Sequence, residues 1–203
     1  MRNSKMLING LWQYIYGIRI LEVLNYLRVE THLIISDAGK RTVELETDYQ
    51  IKTIENMATE VHNIRNIGAS ISSGSFKIDG MIIAPCSMKS LSAIANSYNE
   101  NLLVRSADVT LKERRKLILM VRETPFHLGH LELMIKVSKM GGIILPPMPA
   151  YYNLPKTMND IINQTVGKVL DQFHLEHNLF KRWEGDELPE QDQSRKSASI
   201  KIV

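Results

Sequence analysis

The sequence predicts an α/β protein with a doubly wound, mainly parallel sheet. Short apolar runs alternate along the chain with longer segments of helical periodicity, a pattern that is typical of βαβ units. The apolar runs are nearly continuous, as expected for strands that helices cover on both faces. Right-handed crossovers would then place helices on both sides of the sheet. The 203 residues are enough for one such domain with a sizeable core.

The apolar runs are predicted to be strands because each is short and is followed by polar or turn-forming residues. In chain order, the predicted strands are residues 6–8, 31–35, 80–84, 117–121 and 142–145. Residues 66–77 are too small and polar for an ordinary core element. They predict a loop whose backbone approaches another group closely.

The intervening segments are predicted to be helices. In chain order, they are residues 15–27, 51–59, 90–97, 108–115, 128–140 and 157–173. The last has the clearest signals, because Thr157 can cap it, Asp160 stands in the acidic position of a capping box and an apolar stripe follows. Gly141 and Gly142 supply a stop for the helix before it.

Composition excludes several classes of protein. The chain has 25 Lys and Arg against 22 Asp and Glu, and no basic run is interleaved with aromatic residues, so nucleic-acid binding is disfavoured. The single cysteine, Cys86, excludes an internal disulfide and a cysteine-based zinc cluster. No apolar segment is long enough for a membrane span or a signal-peptide core. We therefore expect a cytoplasmic protein with no membrane span.

The chain shows no internal repeat and no linker of the kind that separates domains. Beyond Trp183 it becomes acidic and then rich in Ser, Lys and Gln. Such composition cannot build a packed core. We expect a single domain over residues 1–185 and a flexible tail at residues 186–203.

Polar residues follow the predicted strands at the ends where open parallel sheets bind their ligands. They are Ser36, the run Ser87-Met88-Lys89-Ser90, and the pair Arg122 and Glu123. Hydroxyls, helix-start amides and an arginine suit a phosphate or another anion. Each signal is weak alone, because a serine before a helix is more often only a cap. Their joint placement favours an anion site.

Several candidate residues also have structural interpretations. Lys112 lies in a charged run that reads as a solvated helix face, and Tyr152 and Trp183 could be packing residues with a polar edge. His127 and His130 stand at a helix start without a third ligand of matching spacing. The sequence therefore predicts no metal site.

A set of longer collinear runs is more specific than any single motif. The runs are Ser70-Ile71-Ser72-Ser73-Gly74-Ser75-Phe76, Asp79-Gly80-Met81 through Ala84-Pro85-Cys86-Ser87-Met88-Lys89, residues 107–116, Arg122-Glu123-Thr124-Pro125, Pro146-Pro147-Met148-Pro149-Ala150-Tyr151-Tyr152 and Leu170-Asp171-Gln172-Phe173. Together they resemble the UbiX-type flavin prenyltransferases, a family that includes the small subunits of phenolic acid decarboxylase systems. The resemblance extends from Ile15 to Trp183.

The resemblance implies a Rossmann-like or flavodoxin-like flavin-binding domain. Such enzymes transfer a dimethylallyl group from dimethylallyl phosphate to N5 and C6 of reduced FMN. The product, prenylated FMN, is the cofactor of a UbiD-type decarboxylase in ubiquinone biosynthesis or aromatic acid decarboxylation. The resemblance also implies a homo-oligomer, a dodecamer, and no metal requirement.

The resemblance further implies roles for individual residues. FMN would be bound by Gly10, Ser36, Ser87, Met88, Lys89, Ser90 and Arg122. The phosphate of the prenyl donor would be bound by Lys112, Arg122, Tyr152 and Lys168, with Glu123 beside it. Cations and a phenol there would stabilise the departing oxyanion. Lys168 replaces the arginine usual in the family and loses its two-pronged donor.

Catalysis would involve Glu46 and Trp183 besides Lys112 and Glu123. Glu46 would assist proton movement near the flavin. Trp183 would close the pocket with an aromatic wall that tolerates an allylic cation. These roles rest on the resemblance alone.

The chain departs from the family after its first strand, where the family has a Gly-Ala-Ser-Gly turn. Here the sequence is Asn9-Gly10-Leu11-Trp12-Gln13-Tyr14, so only Gly10 is kept and Trp12 stands at the serine position. Large side chains should obstruct a close approach of the FMN phosphate. A compensated pair of frameshifts would explain so short a replacement. The alternative hypothesis is an impaired or non-catalytic FMN-binding scaffold.

Overall fold

A computed structural model describes residues 4–9, 14–183 and 185 of the chain. Its strands are β1 (Lys5–Asn9), β2 (Glu30–Ile34), β3 (Glu60–His62), β4 (Gly80–Cys86), β5 (Lys116–Val121) and β6 (Ile143–Ile144). They form one sheet in the order β3-β2-β1-β4-β5-β6, and every pair is parallel. This is the strand order of a doubly wound Rossmann sheet. The predicted fold class is confirmed.

The described helices are α1 (Tyr14–Tyr26), α2 (Asp37–Glu46), α3 (Ile51–Glu55), α4 (Met88–Ala95), α5 (Leu102–Lys112), α6 (Leu128–Lys139) and α7 (Met158–Asp171). The sequence prediction missed α2 and β3. α2 buries only Gly39, Thr42 and Val43, so its apolar stripe is faint. β3 has three residues, two of them exposed, and shows no apolar run.

The prediction for α5 was wrong at its start, which was placed at residue 108. The helix begins at Leu102, because the Asn101 side chain accepts a hydrogen bond from the backbone N–H of Val104 at 3.1 Å. The prediction for α7 is confirmed. Thr157 and Asp160 cap it reciprocally, each side chain accepting from the other's backbone N–H.

Alternate residues of the strands pack into two cores, one on each face of the sheet. Met6, Ile8 and Ile82 face α1 and α7, whereas Leu7 and Met81 face α4, α5 and α6. Both faces of β4 are fully buried. Within the described residues, no helix has the length and apolarity needed to cross a membrane.

The backbone of the loop at residues 66–77 lies close to the side chain of Arg115, as the small residues of the loop predict. The Arg115 guanidinium donates hydrogen bonds to the carbonyls of Gly74 and Phe76, at 2.8 and 2.7 Å. A Cβ atom at Gly74 would lie 2.2 Å from Oε1 of Glu113. The predicted tail at residues 186–203 lies outside the described residues, and the single-domain assignment stays a prediction.

Candidate functional site

The strand order reverses between β1 and β4, which both lie at the centre of the sheet. In open α/β sheets, ligands bind beyond the carboxyl ends of the strands at this switch point. Ser87 follows β4 directly, Ser36 follows β2 by two residues and Arg122 follows β5 directly. The structure thus places these three residues at one edge. Gly10 follows β1 but lies outside the described residues, so its role stays a prediction.

Two helix starts converge at this edge. The Ser36 hydroxyl accepts from the backbone N–H of Gly39 at 3.0 Å and caps α2. The Ser87 hydroxyl accepts from the backbone N–H of Ser90 at 3.2 Å and caps α4. Both serines line one cavity of about 270 Å³. Helix N-termini carry partial positive charge and free N–H groups, so this cavity suits an anion.

Acidic side chains also line this cavity, but each is paired. Asp37 accepts from the Arg65 guanidinium at 2.8 Å, and Glu100 lies 3.2 Å from the Lys89 ammonium. These pairs offset negative charge that would otherwise oppose an anion. Ile64, together with the neighbouring leucine and valine of α5, supplies an apolar wall.

A second cavity of about 350 Å³ adjoins the first and shares Pro85, Ser87 and Lys89 with it. Cys86, Met88, Arg122 and Glu123 complete its lining. Pro85 has no N–H to give to the ladder, and the register between β4 and β5 shifts there. The backbone N–H of Arg122 then donates to the Cys86 carbonyl at 3.2 Å. The structure therefore brings together most of the residues predicted to bind FMN.

Cys86 is the last residue of β4, and its thiol is fully buried. Burial raises the pKa of the thiol to about 12. A thiol in this state is inert as a nucleophile near neutral pH. Cys86 thus lines the second cavity as a neutral, buried thiol.

Tyr152 precedes α7, and the side chain of Gln164 on that helix donates a hydrogen bond to the Tyr152 hydroxyl at 3.0 Å. Sequence reasoning missed Gln164. The available signal was a polar residue at a position that helical spacing assigns to the buried face of α7, where Gln164 is 7% exposed. A buried amide needs a partner, and Tyr152 is that partner.

Lys112 stands at the carboxyl end of α5, next to the amino end of β5. Its ammonium lies 2.8 Å from Oε1 of Glu113. The hydrogen bond from Lys112 and the charge of Lys112 hold the pKa of the Glu113 carboxyl below its usual value. Arg122 follows the opposite end of β5, a strand about 20 Å long at roughly 3.3 Å per residue. One chain therefore does not bring Lys112 to Arg122.

Four other predicted residues are exposed and line neither of the two cavities. Tyr152 is 59% exposed, Glu46 ends α2, Lys168 lies on the outer face of α7, and Trp183 is 65% exposed near the end of the described chain. Their predicted roles, like that of Lys112, stay predictions. Each would need another surface to complete a site.

Comparison with known proteins gives the class first. A family profile described as Flavoprotein matches residues 5–170, which is most of the chain. The protein is a member of the flavoprotein family. This class agrees with an anion-binding edge on a doubly wound sheet.

Curated relatives narrow the class. The chain is 61% identical over 181 residues to the flavin prenyltransferase UbiX of Thauera aromatica, a match covering 89% of this chain and 93% of that protein. It is 52% identical to the UbiX of Salmonella typhimurium, covering 88% of this chain and 96% of that protein. The chain belongs to the UbiX family of flavin prenyltransferases, as the sequence resemblance predicts.

Two solved structures agree with this family assignment. The crystal structure of AnUbiX in complex with FMN and dimethylallyl pyrophosphate superposes with a TM-score of 0.89 at 43% identity, covering 92% of this chain and all of that one. A dodecameric FMN-dependent UbiX-like decarboxylase from Escherichia coli superposes with a TM-score of 0.86 at 46% identity, covering 90% of this chain and all of that one.

Proposed function

We propose that the protein is a flavin prenyltransferase that joins the dimethylallyl group of dimethylallyl phosphate to N5 and C6 of reduced FMN. The observation that carries this proposal is the cluster of Ser36, Ser87 and Arg122 around two adjoining cavities at the switch point. It occurs in a chain that matches UbiX enzymes along most of its length. Bound FMN and dimethylallyl pyrophosphate in the AnUbiX structure support the two ligands.

The N-termini of α2 and α4 are the groups that would hold FMN. Ser36 and Ser87 keep these helix ends fixed, so backbone N–H groups can meet the phosphate without reorganising. Met88, Lys89 and Ser90 present the first turn of α4 to the cavities. When bound and reduced, the flavin supplies the two nucleophilic ring positions that receive the prenyl group.

Arg122, which lines the second cavity, would bind the donor phosphate, and Tyr152 is a further predicted donor to that phosphate. A guanidinium offers two parallel donors to a phosphate, and these strengthen as charge develops on the departing oxygen. The Tyr152 oxygen already accepts from Gln164, so its own O–H is left to donate to the phosphate. Glu123, beside Arg122, is placed to hold a proton for the leaving phosphate.

Lys112, Lys168, Glu46 and Trp183 would act across subunit boundaries. Lys112 lies at the sheet edge opposite Arg122, so only another copy can bring a Lys112 ammonium to the same phosphate. A homo-oligomer, with the dodecamer of the Escherichia coli relative as its precedent, would supply these residues. Most of the apolar side chains at the start of α6 are exposed, as an interface requires.

The product would serve a UbiD-type decarboxylase, in ubiquinone biosynthesis or aromatic acid decarboxylation. We place the protein in the cytoplasm, because one buried cysteine suits a reducing compartment. Transfer to the decarboxylase can be followed by adding its apo form and measuring decarboxylation.

The decisive experiment incubates the purified full chain anaerobically with reduced FMN and dimethylallyl phosphate. The extracted flavin is then weighed by mass spectrometry. We expect a flavin heavier by one prenyl unit, which Arg122→Ala should abolish and the exposed Arg41→Ala should leave unchanged. A flavin of unchanged mass with the wild-type protein would overturn the proposal.

A second candidate is a scaffold that binds FMN weakly and does not transfer a prenyl group. The altered sequence at residues 11–14 is the observation that favours it. Bound but unmodified FMN in the same experiment would support this candidate. Absence of bound flavin would indicate residues 11–14 as the defect.

A further inference from the structure

Two histidines and a glutamate meet at the edge of the sheet formed by β2 and β3. His32 and Glu60 are paired directly across the parallel ladder, and His62 follows Glu60 by two residues on the same face. The strand register alone thus brings the three side chains together. None of them lines the two cavities proposed for the flavin and its donor.

The ligand atoms of the three side chains lie within 4.8 Å of one another. Nδ1 of His32 is 2.9 Å from Nε2 of His62 and 3.4 Å from Oε2 of Glu60. Ligands that bind Zn²⁺ at about 2.0 Å in a tetrahedron are about 3.3 Å apart. Two of the three ligand pairs are therefore close to the spacing of a tetrahedral site, and the third pair lies within 4.8 Å.

A carboxylate behind the cluster orients His32. Nε2 of His32 is 3.4 Å from Oε1 of Glu30, and the same oxygen accepts from the Lys5 ammonium at 2.7 Å. A proton on Nε2 leaves the lone pair of Nδ1 directed at His62 and Glu60. Histidines that bind metals are commonly oriented by a carboxylate in this way.

The surroundings hold the two rings in place. His32 stacks on His62 with ring centres 5.2 Å apart and meets the edge of Phe76 at 5.1 Å. Both imidazoles are buried, whereas the Glu60 side chain is 55% exposed and opens the cluster to solvent.

We propose that His32, His62 and Glu60 form a binding site for Zn²⁺ or a similar divalent transition metal, with water as the fourth ligand. Two imidazoles and one carboxylate are the ligand set that favours Zn²⁺ over Mg²⁺. The ion would join the edge strand β3 to β2 and so stabilise this side of the sheet. The site takes no part in prenyl transfer, which the proposal leaves without a metal.

The same cluster has a metal-free interpretation, in which hydrogen bonds alone connect its members. Glu30 would accept from His32, and His32 would accept from His62. In that arrangement, Nδ1 of neutral His62 presents a lone pair toward Oε1 of Glu60, 3.7 Å away. In the metal-free arrangement, two acceptors, Nδ1 of His62 and Oε1 of Glu60, then face each other. A metal bound to Nε2 of His62 would instead leave the proton on Nδ1, which could donate it to Glu60.

The test uses the full chain after removal of metal with a chelator. Zn²⁺ is titrated by calorimetry, and the melting temperature is measured with and without the ion. We expect one Zn²⁺ per chain, a raised melting temperature and no comparable effect of Mg²⁺. Glu60→Gln, at an exposed position, should weaken Zn²⁺ binding at least tenfold without unfolding the chain.

Two further variants make the test specific. Glu30→Gln should weaken Zn²⁺ binding by about 10- to 100-fold through the orientation of His32. His127→Gln should leave binding unchanged, because it alters the other close histidine pair, whose ring centres lie 3.5 Å apart. Absence of stoichiometric Zn²⁺ binding, or equal binding by wild type and Glu60→Gln, would overturn the proposal and leave the hydrogen-bonded arrangement.

Discussion

The Tyr152 hydroxyl accepts a hydrogen bond from the side-chain amide of Gln164 at 3.0 Å. Gln164 is buried on α7, whereas Tyr152 is 59% exposed, so the helix fixes a phenol that faces outward. A phenol has one proton to donate. With its oxygen engaged by Gln164, that proton is left for an outside acceptor, and a phosphate oxygen fits this requirement.

Tyr152→Phe should therefore impair use of the prenyl donor. Loss of a hydrogen bond to a charged phosphate corresponds to about 10- to 100-fold in kcat/KM for dimethylallyl phosphate. Gln164→Leu should give a smaller loss, about fivefold, because the phenol remains but is no longer fixed. Steady-state kinetics with a constant concentration of reduced FMN measure both effects. Tyr151→Phe is the matched control and should change neither value.

Ser87→Ala should lower both stability and FMN affinity. Removing the cap of α4 costs about 1 kcal/mol of unfolding free energy, and loss of the fixed helix start should weaken FMN binding about tenfold. Thr157→Ala removes the cap of α7 at a similar cost in stability, so it is the matched control for FMN binding. Equal FMN affinities in the two variants would contradict a role of the α4 start in flavin binding.

The fold was predictable because its central strands are buried on both faces and read as plain apolar runs. β4, with every residue buried, is the clearest example. β3 escaped detection because Glu60 and Val61 are exposed and pairing with β2 alone holds the strand. The sequence analysis missed α2 because its apolar stripe is weak. The start of this helix is determined mainly by the cap at Ser36.

The site was predictable only where topology determines it. Ser36, Ser87 and Arg122 follow parallel strands, and the carboxyl ends of such strands share one edge. Gln164 and the pairing of His32 with His62 depend on tertiary contacts between distant segments, which periodicity cannot show. Lys112 could be placed only by resemblance, because its own chain puts it at the opposite edge.

Stability should fall at acidic pH through the ion pair of Asp171. Hydrogen bonds and charge from Arg182, and then the charge of His177, hold the pKa of the Asp171 carboxyl below its usual value. A carboxyl with a lowered folded pKa stabilises the protein above its unfolded pKa, near 3.9, and loses this contribution as the pH falls through the folded pKa. The pair also fastens the segment that carries Trp183 to α7.

Urea unfolding of the wild type and of Asp171→Asn at several pH values measures this contribution. The variant should have the lower urea midpoint between pH 5 and pH 7, by a constant and small amount. The two midpoints should converge as the pH falls below about 4 and then through the lowered pKa of the folded carboxyl, where the wild-type side chain also becomes neutral. A difference that persists unchanged at low pH would show that the pair does not titrate in this way.

Cys86 should resist thiol reagents in the folded protein. Its pKa of about 12 leaves about one thiolate in ten thousand at pH 8, and the side chain is fully buried. Labelling with a chromogenic disulfide reagent should proceed only after the addition of guanidinium chloride. Rapid labelling of the native protein would indicate that the edge beneath Ser87 opens frequently.

We expect the residues after β1 to limit how well this chain binds FMN. Residues 10–13 lie outside the described residues. They follow Asn9, the end of β1, which lies beside β4 at the switch point where the flavin phosphate is proposed to bind. The bulky Leu11, Trp12 and Gln13 replace small residues that let backbone amides approach a phosphate. The triple substitution Leu11→Ala, Trp12→Ser and Gln13→Gly should raise FMN affinity at least tenfold in equilibrium dialysis. Unchanged affinity would mean that the starts of α2 and α4 already hold the phosphate and that the replaced turn is tolerated.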